Sequence, residues 1–210
     1  MTRGKIAAEL AAVGRRFYSR GWVLGTSGNF SAVVSRTPLR LAITASSLPK
    51  GTLKAADIVE CDEHARLVGK SKGKPSAETL LHVEIARRRG AGAVLHTHSV
   101  WSTMLSDGWP SGPDAALAIE GYEMLKGLAG VTSHEHRELV PIVDNDQDMT
   151  RLARRVGDTL ERHPAAHAFL LRRHGLYTWG ESLADAERHV EILEFLFETI
   201  GRTQGGPSWR

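Results

Sequence analysis

The chain has 210 residues, 41% hydrophobic and 24% charged, with a formal net charge of +3; that suits one packed domain and excludes a disordered chain. A single cysteine, Cys61, excludes a disulfide scaffold, and no apolar run reaches the ~18 residues a membrane helix needs. The first residues lack the apolar stretch of a signal peptide, and the basic clusters carry no interleaved aromatics of the kind that bind nucleic acid, so a cytoplasmic protein is expected.

Ile6, Leu10, Val13 and Phe17 recur at helical spacing and predict a helix over residues 3–20, stopped by Gly21. Gly25 to Asn29 is a polar, glycine-rich loop. Phe30/Ala32/Val34 and Leu39/Leu41/Ile43 alternate about Arg36-Thr37-Pro38 and predict a hairpin. Thr44 to Gly51 is a second loop of small polar residues. Ile58 to Asp62 and Arg66 to Val68 predict a second hairpin. Lys74 to Glu78 opens a helix, with Ser76 as its expected N-cap and Leu81 and Ile85 as its core stripe.

Residues 93–98 form a short apolar strand ending in His96-Thr97-His98, with a helix behind it from Val100, Trp101 and Met104. Strands are expected at 115–119, 140–143, 168–171 and 176–179. Helices are expected at 148–163, stopped by Pro164, and at 183–200. This alternation predicts an α/β fold: three α/β/α layers around a mixed sheet, in a single domain over residues 1–204 with 205–210 as a disordered tail.

His96 and His98 sit two apart on a strand, so both side chains point to one face. Alone, this is also the pattern of two exposed strand histidines. His174-Gly175 ends another apolar run and offers a third imidazole, the donor set of a catalytic divalent ion with an open position. Imidazoles suit zinc, iron, copper or nickel better than magnesium or calcium, and zinc is the expectation. His64, His82, His134, His136, His163, His167 and His189 read as surface or helix residues.

The two small-residue loops offer backbone N–H groups and hydroxyls suited to an anion, and Ser76 stands at a helix start, where phosphate is favoured. Either loop alone is an ordinary turn. Beside a metal site they point to a small phosphorylated substrate. Among the carboxylates, Glu78 lies in the first turn of a helix. Glu120 leaves an apolar strand at Gly121; partial desolvation there would raise its pKa toward acid–base work, and an exposed strand-end acid fits the same pattern equally. Tyr122 and Glu123 are alternatives close by.

Gly25-Thr26-Ser27-Gly28-Asn29, Lys74-Pro75-Ser76-Ala77-Glu78, His96-Thr97-His98 and Arg173-His174-Gly175 resemble, in order, the signature segments of the class II aldolase/adducin family. The resemblance runs from the first helix to the last. Residues 43–51, 120–127 and 140–148 are similar to those of the family's dehydratases that act on a ketose 1-phosphate in methionine salvage. It implies a mostly antiparallel sheet between helical layers, a homotetramer, and one zinc per subunit held between subunits. It implies His96, His98 and His174 as zinc ligands and Glu120 as acid/base. Thr26, Asn29, Ser46, Ser47 and Ser76 fall in its phosphate-binding segments.

Two departures are visible. Ser76-Ala77 stands where the sugar-phosphate aldolases often have two serines, and Ser46-Ser47 where they have threonine-glycine. Glu78 matches the aldolases' glutamate, but dehydratases do not all keep an acid there, so among the substrate-binding residues its role is open. The rival readings are retro-aldol cleavage or epimerisation of a sugar phosphate, and a non-catalytic adducin-like module. Three intact histidines argue against the last.

Overall fold

The computed structural model describes residues 2–69, 71, 73–109 and 111–205. Residues 206–210 of the expected tail lie outside the described residues. Eight strands form one sheet: β1 (Asn29–Arg36), β2 (Leu39–Thr44), β3 (Ile58–Asp62), β4 (Ala93–Thr97), β5 (Ala116–Ile119), β6 (Glu138–Val143), β7 (Ala168–Leu171) and β8 (Gly175–Gly180). Their order is β3-β2-β1-β4-β8-β7-β6-β5, and every neighbouring pair is antiparallel except β6 with β7. The second predicted hairpin forms, held by Val68 N–H to the Glu60 carbonyl at 2.9 Å and a bridge between Cys61 and Leu67.

Helices α1 (Arg3–Ser19), α3 (Val100–Asp107) and α5 (Leu183–Gly205) cover one face; α2 (Thr79–Arg89) and α4 (Met149–Arg162) cover the other. The two-residue period of the strands assigns each side chain to a face. Ala93 and Leu95 pack with Leu10 and Phe17 of α1 and Val190 of α5. Val94 packs with Leu81 and Ile85 of α2 and Leu152 and Val156 of α4. His96 continues the Val94 side, so the α2/α4 face carries the first candidate ligand.

Helix ends follow the sequence with two exceptions. Asp148 caps α4 as its side chain accepts from the N–H groups of Thr150 and Arg151, both at 3.0 Å. Ser76, expected as the N-cap of α2, lies outside it: Glu78 takes that position, and Ser76 Oγ accepts its N–H at 3.3 Å. The preceding loop is tied sideways to the sheet by an Ala45–Pro75 bridge and a bond from Ser46 N–H to the Lys74 carbonyl at 2.8 Å, which delays the helix. At the other end, α5 continues past the expected Ile200 to Gly205. Among the described residues no helix is long and apolar enough to cross a membrane.

Candidate active site

Strand directions decide what can meet. The carboxyl ends of β4, β6 and β7 share one end of the sheet with the amino ends of β1 and β8. At that end Asn29 pairs with His96 across β1 and β4, and Gly175 opens β8 just after His174. Two glycines allow the close approach. A Cβ at Gly175 would collide with the Thr97 carbonyl oxygen, and one at Gly28 would lie 2.8 Å from the His96 carbonyl oxygen. Gly28 also holds φ +74, and Arg173 holds φ +55 in the tight corner that swings His174 inward.

His96 is fully buried, its ring stacked on Tyr177 with centroids 3.9 Å apart. Its Nδ1–H donates to the Leu176 carbonyl at 2.8 Å, which fixes the tautomer and leaves a lone pair on Nε2. That Nε2 lies 2.8 Å from His98 Nε2 and 3.4 Å from His174 Nε2; the last two are 3.1 Å apart. Burial lowers all three pKa values, that of His98 to about 3; for His96 burial comes first and the charges of His98 and His174 add to it. The imidazoles are therefore neutral near pH 7, the ligating form. Converging nitrogens with so few protons between them form a donor set that fits a divalent transition ion.

Glu78 closes the cluster, with Oε1 3.4 Å from His174 Nε2 and Oε2 3.7 Å from His96 Nε2. A buried relay holds it there. Ser31 Oγ meets His82 Nδ1 at 2.8 Å, His82 Nε2 meets Asn29 Oδ1, and Asn29 Nδ2 donates to Glu78 Oε2 at 2.6 Å. Burial pushes His82 down to about 3, so it carries one proton, on the nitrogen facing Asn29. The Tyr177 hydroxyl is raised well above its ordinary value by burial and by the Glu78 charge. On the opposite sheet face, Thr97 Oγ1 donates to Glu194 Oε1 at 2.7 Å, which anchors the ligand strand to α5. Burial pushes the Glu194 carboxyl up to about 7 against the bonds from Ser99 and Thr97.

A cavity of about 280 Å3 opens over this cluster. Thr26, Asn29, Ser46, Ser47, Ser76 and Glu78 all line it beside His98 and His174. Within that set the Asn29 amide gives one N–H to Glu78 and turns its oxygen to His82, so it orients the carboxylate and keeps a second N–H. Lys50, Asn145, Gln147 and Met149 also line the cavity; the first three fall in the segments that resemble the dehydratases, but none was expected as a site residue. His82 and His189, expected as surface or helix residues, do lie on helices but are buried.

Glu120 does not join this cluster within one chain. β5 runs antiparallel to β6, so its carboxyl end lies at the opposite end of the sheet from His96. Partial desolvation is absent: the Glu120 side chain is 69% exposed and sits 3.6 Å from Arg137. Burial at the end of a strand depends on what covers that end, which an apolar run does not encode.

A second group, His136, Glu138 and His167, lies at that far end. His167 donates Nδ1–H to Glu138 Oε2 at 2.9 Å and Nε2–H to the Ala129 carbonyl at 2.8 Å, so both ring nitrogens carry protons and neither offers a lone pair to a metal. Burial alone would lower His167, but the Glu138 bond and charge raise it; burial alone would raise Glu138, but its bonds from His167 and His136 lower it. The raised His167 stabilises the fold below its ordinary 6.5 and loses that effect as pH rises through the raised value. The depressed Glu138 stabilises above its ordinary 4.5 and loses that effect as pH falls through the lowered value. The stability difference between wild type and His167→Gln, read from urea midpoints, should therefore peak between those two values and shrink toward pH 8. A difference that grows toward pH 8 contradicts the ion pair.

Residues 8–200 match the family described as Class II Aldolase and Adducin N-terminal domain, and the chain belongs to that family. A solved YgbL from Klebsiella pneumoniae superposes with a TM-score of 0.80 at 26% identity, covering 100% of this chain and 94% of that one. L-fuculose-1-phosphate aldolase from Thermus thermophilus shares the fold, with a TM-score of 0.75 at 24% identity, over 98% of this chain and 100% of that one. A methylthioribulose-1-phosphate dehydratase from Methylococcus capsulatus is 50% identical over 201 residues, 95% of this chain and 94% of its own length.

Proposed function

We propose that this chain is a zinc-dependent hydro-lyase that dehydrates 5-methylthioribulose 1-phosphate to 2,3-diketo-5-methylthiopentyl 1-phosphate in methionine salvage. The observation that carries the reading is the convergence of three neutral imidazoles, His96, His98 and His174, beneath a cavity walled by hydroxyl and glycine loops. The 50% identity to a dehydratase of that name supports it over the aldolases, of which the Thermus thermophilus enzyme of the same fold is 24% identical.

His96, His98 and His174 would hold one zinc per subunit, which would supply the Lewis acidity needed to polarise the substrate's C2 carbonyl and acidify its C3 proton. Thr26, Ser46, Ser47 and Ser76 take the phosphate. Glu78, held by Asn29 and through it by His82, stands beside the His96 and His174 imidazoles at the cavity wall. An acid/base carboxyl removes the C3 proton, then returns a proton to the C4 hydroxyl as it leaves as water, and the enol so formed becomes the diketone. We assign that carboxyl to Glu120. It lies at the far end of the sheet from the imidazoles of its own chain, so this assignment requires a site shared between copies, as in a homotetramer with sites between subunits. A cytoplasmic location fits the lone buried thiol of Cys61.

The test is turnover of 5-methylthioribulose 1-phosphate by purified protein, with products identified by mass. A diketone phosphate and stoichiometric zinc are expected. Dihydroxyacetone phosphate as the main product would move the assignment to the aldolases, and a protein free of zinc would make it a non-catalytic module.

A further inference from the structure

Lys50 is 1% exposed, although it sits in a loop of small polar residues. Its Nζ donates to the Thr26 carbonyl at 2.8 Å and the Leu48 carbonyl at 2.9 Å. Those carbonyls belong to the two loops read from the sequence as anion-binding, so one ammonium joins both. An ammonium has three donors, and these bonds use two. Among the described residues no ion pair joins a carboxylate to Lys50, and burial lowers its pKa to about 8. A buried cation without a counter-charge is unfavourable unless an anion joins it. Lys50 is also the one lysine or arginine among the described residues lining the cavity. The cavity's carboxylate, Glu78, is turned toward the imidazoles. The cavity is therefore polarised, with a cation between the hydroxyl loops and a carboxylate by the metal ligands.

We infer that Lys50 is a binding residue for the dianionic phosphoryl group of the substrate, supplying its third N–H and the only formal positive charge that the described residues of the cavity wall offer. The inference rests on the phosphorylated-substrate reading above and names the group that anchors it. A lysine presenting a point charge suits a phosphoryl group whose orientation the surrounding hydroxyls set.

The experiment compares zinc-replete wild type with Lys50→Met, using inorganic phosphate as the probe. Phosphate should raise the melting temperature of the wild type and inhibit it competitively. In Lys50→Met its affinity should fall roughly 10- to 100-fold, as for loss of a charge-assisted bond. KM should rise by a similar factor with kcat changed far less and zinc content unchanged. A lysine that merely joined the loops would lower the melting temperature and leave phosphate affinity where it was, and that result overturns the inference. Should Lys50→Met fail to fold, wild-type crystals soaked in phosphate decide: an anion within about 2.7–3.2 Å of Nζ supports the inference, and an anion bound only at the metal overturns it. Phosphate binding needs no turnover, so a protein that holds phosphate through Lys50 yet makes no diketone refutes the proposed reaction and leaves this inference standing.

Discussion

Replacing His96 with alanine should leave the protein folded but unable to hold its metal. His96 is the most constrained of the three candidate ligands, fully buried, stacked on Tyr177 and locked in one tautomer by the Leu176 carbonyl. Loss of partners around a ligand already lowers metal affinity by about 10- to 100-fold, so loss of the ligand itself should exceed roughly 100-fold. Turnover should fall with zinc content, because the proposed dehydration needs the Lewis acidity that an ion bound there would supply. The alanine also leaves a cavity beneath Tyr177, so the melting temperature should drop by several degrees even in metal-free protein. Zinc by elemental analysis and turnover, measured on the same preparation, check this. Full occupancy with normal turnover would remove His96 from the site.

A relay variant separates ligand from support. His82→Leu removes the contact that holds Asn29, and through it Glu78, without touching an imidazole ligand. It should weaken zinc less than His96→Ala does.

The candidate pair was legible because a strand has a period of two, and His98, one residue past the end of β4, still turns to the same side as His96. His174 was legible as a histidine-glycine corner after an apolar run. The supporting residues were not. His82 sits on α2 between Leu81 and Val83, but what a buried imidazole there bonds is not local: its partners Ser31 and Asn29 are 51 and 53 residues away in sequence. Lys50 lies in a loop of small polar residues, and the meeting of two loops buries it. Ser76 has the chemistry of an N-cap, but the bridge between Ala45 and Pro75 sets where α2 begins. Such facts live in tertiary contacts, which local pattern does not carry. Glu120 shows the same limit. An acid after an apolar strand is visible in sequence, but which end of the sheet it reaches depends on the direction of β5 relative to strands that follow it.

That direction shapes the prediction for Glu120→Gln. Dehydration needs a carboxyl that is basic enough to take the C3 proton and acidic enough to return it to the departing C4 hydroxyl. Glutamine keeps the shape and removes both functions. Turnover should fall roughly 10²- to 10⁴-fold, the usual effect of a positioned acid–base group, while zinc content, melting temperature and oligomeric state hold. Glu120 is exposed and paired only loosely with Arg137, so its loss strains nothing in the isolated chain. Glu123 lies on the same exposed segment, paired with Lys126 at 2.7 Å, and Glu123→Gln is the companion variant. If it loses turnover and Glu120→Gln does not, the acid–base role moves to Glu123 and the subunit argument is unchanged. The subunit argument has its own test. Glu120→Gln carries intact metal ligands, and His96→Ala carries an intact Glu120. Mixed and reassembled, hybrid oligomers should contain sites that draw histidines from one parent and the carboxyl from the other, and activity should return above either parent alone. Mixtures that exchange subunits but stay inactive would place the acid–base group on the same chain as the metal.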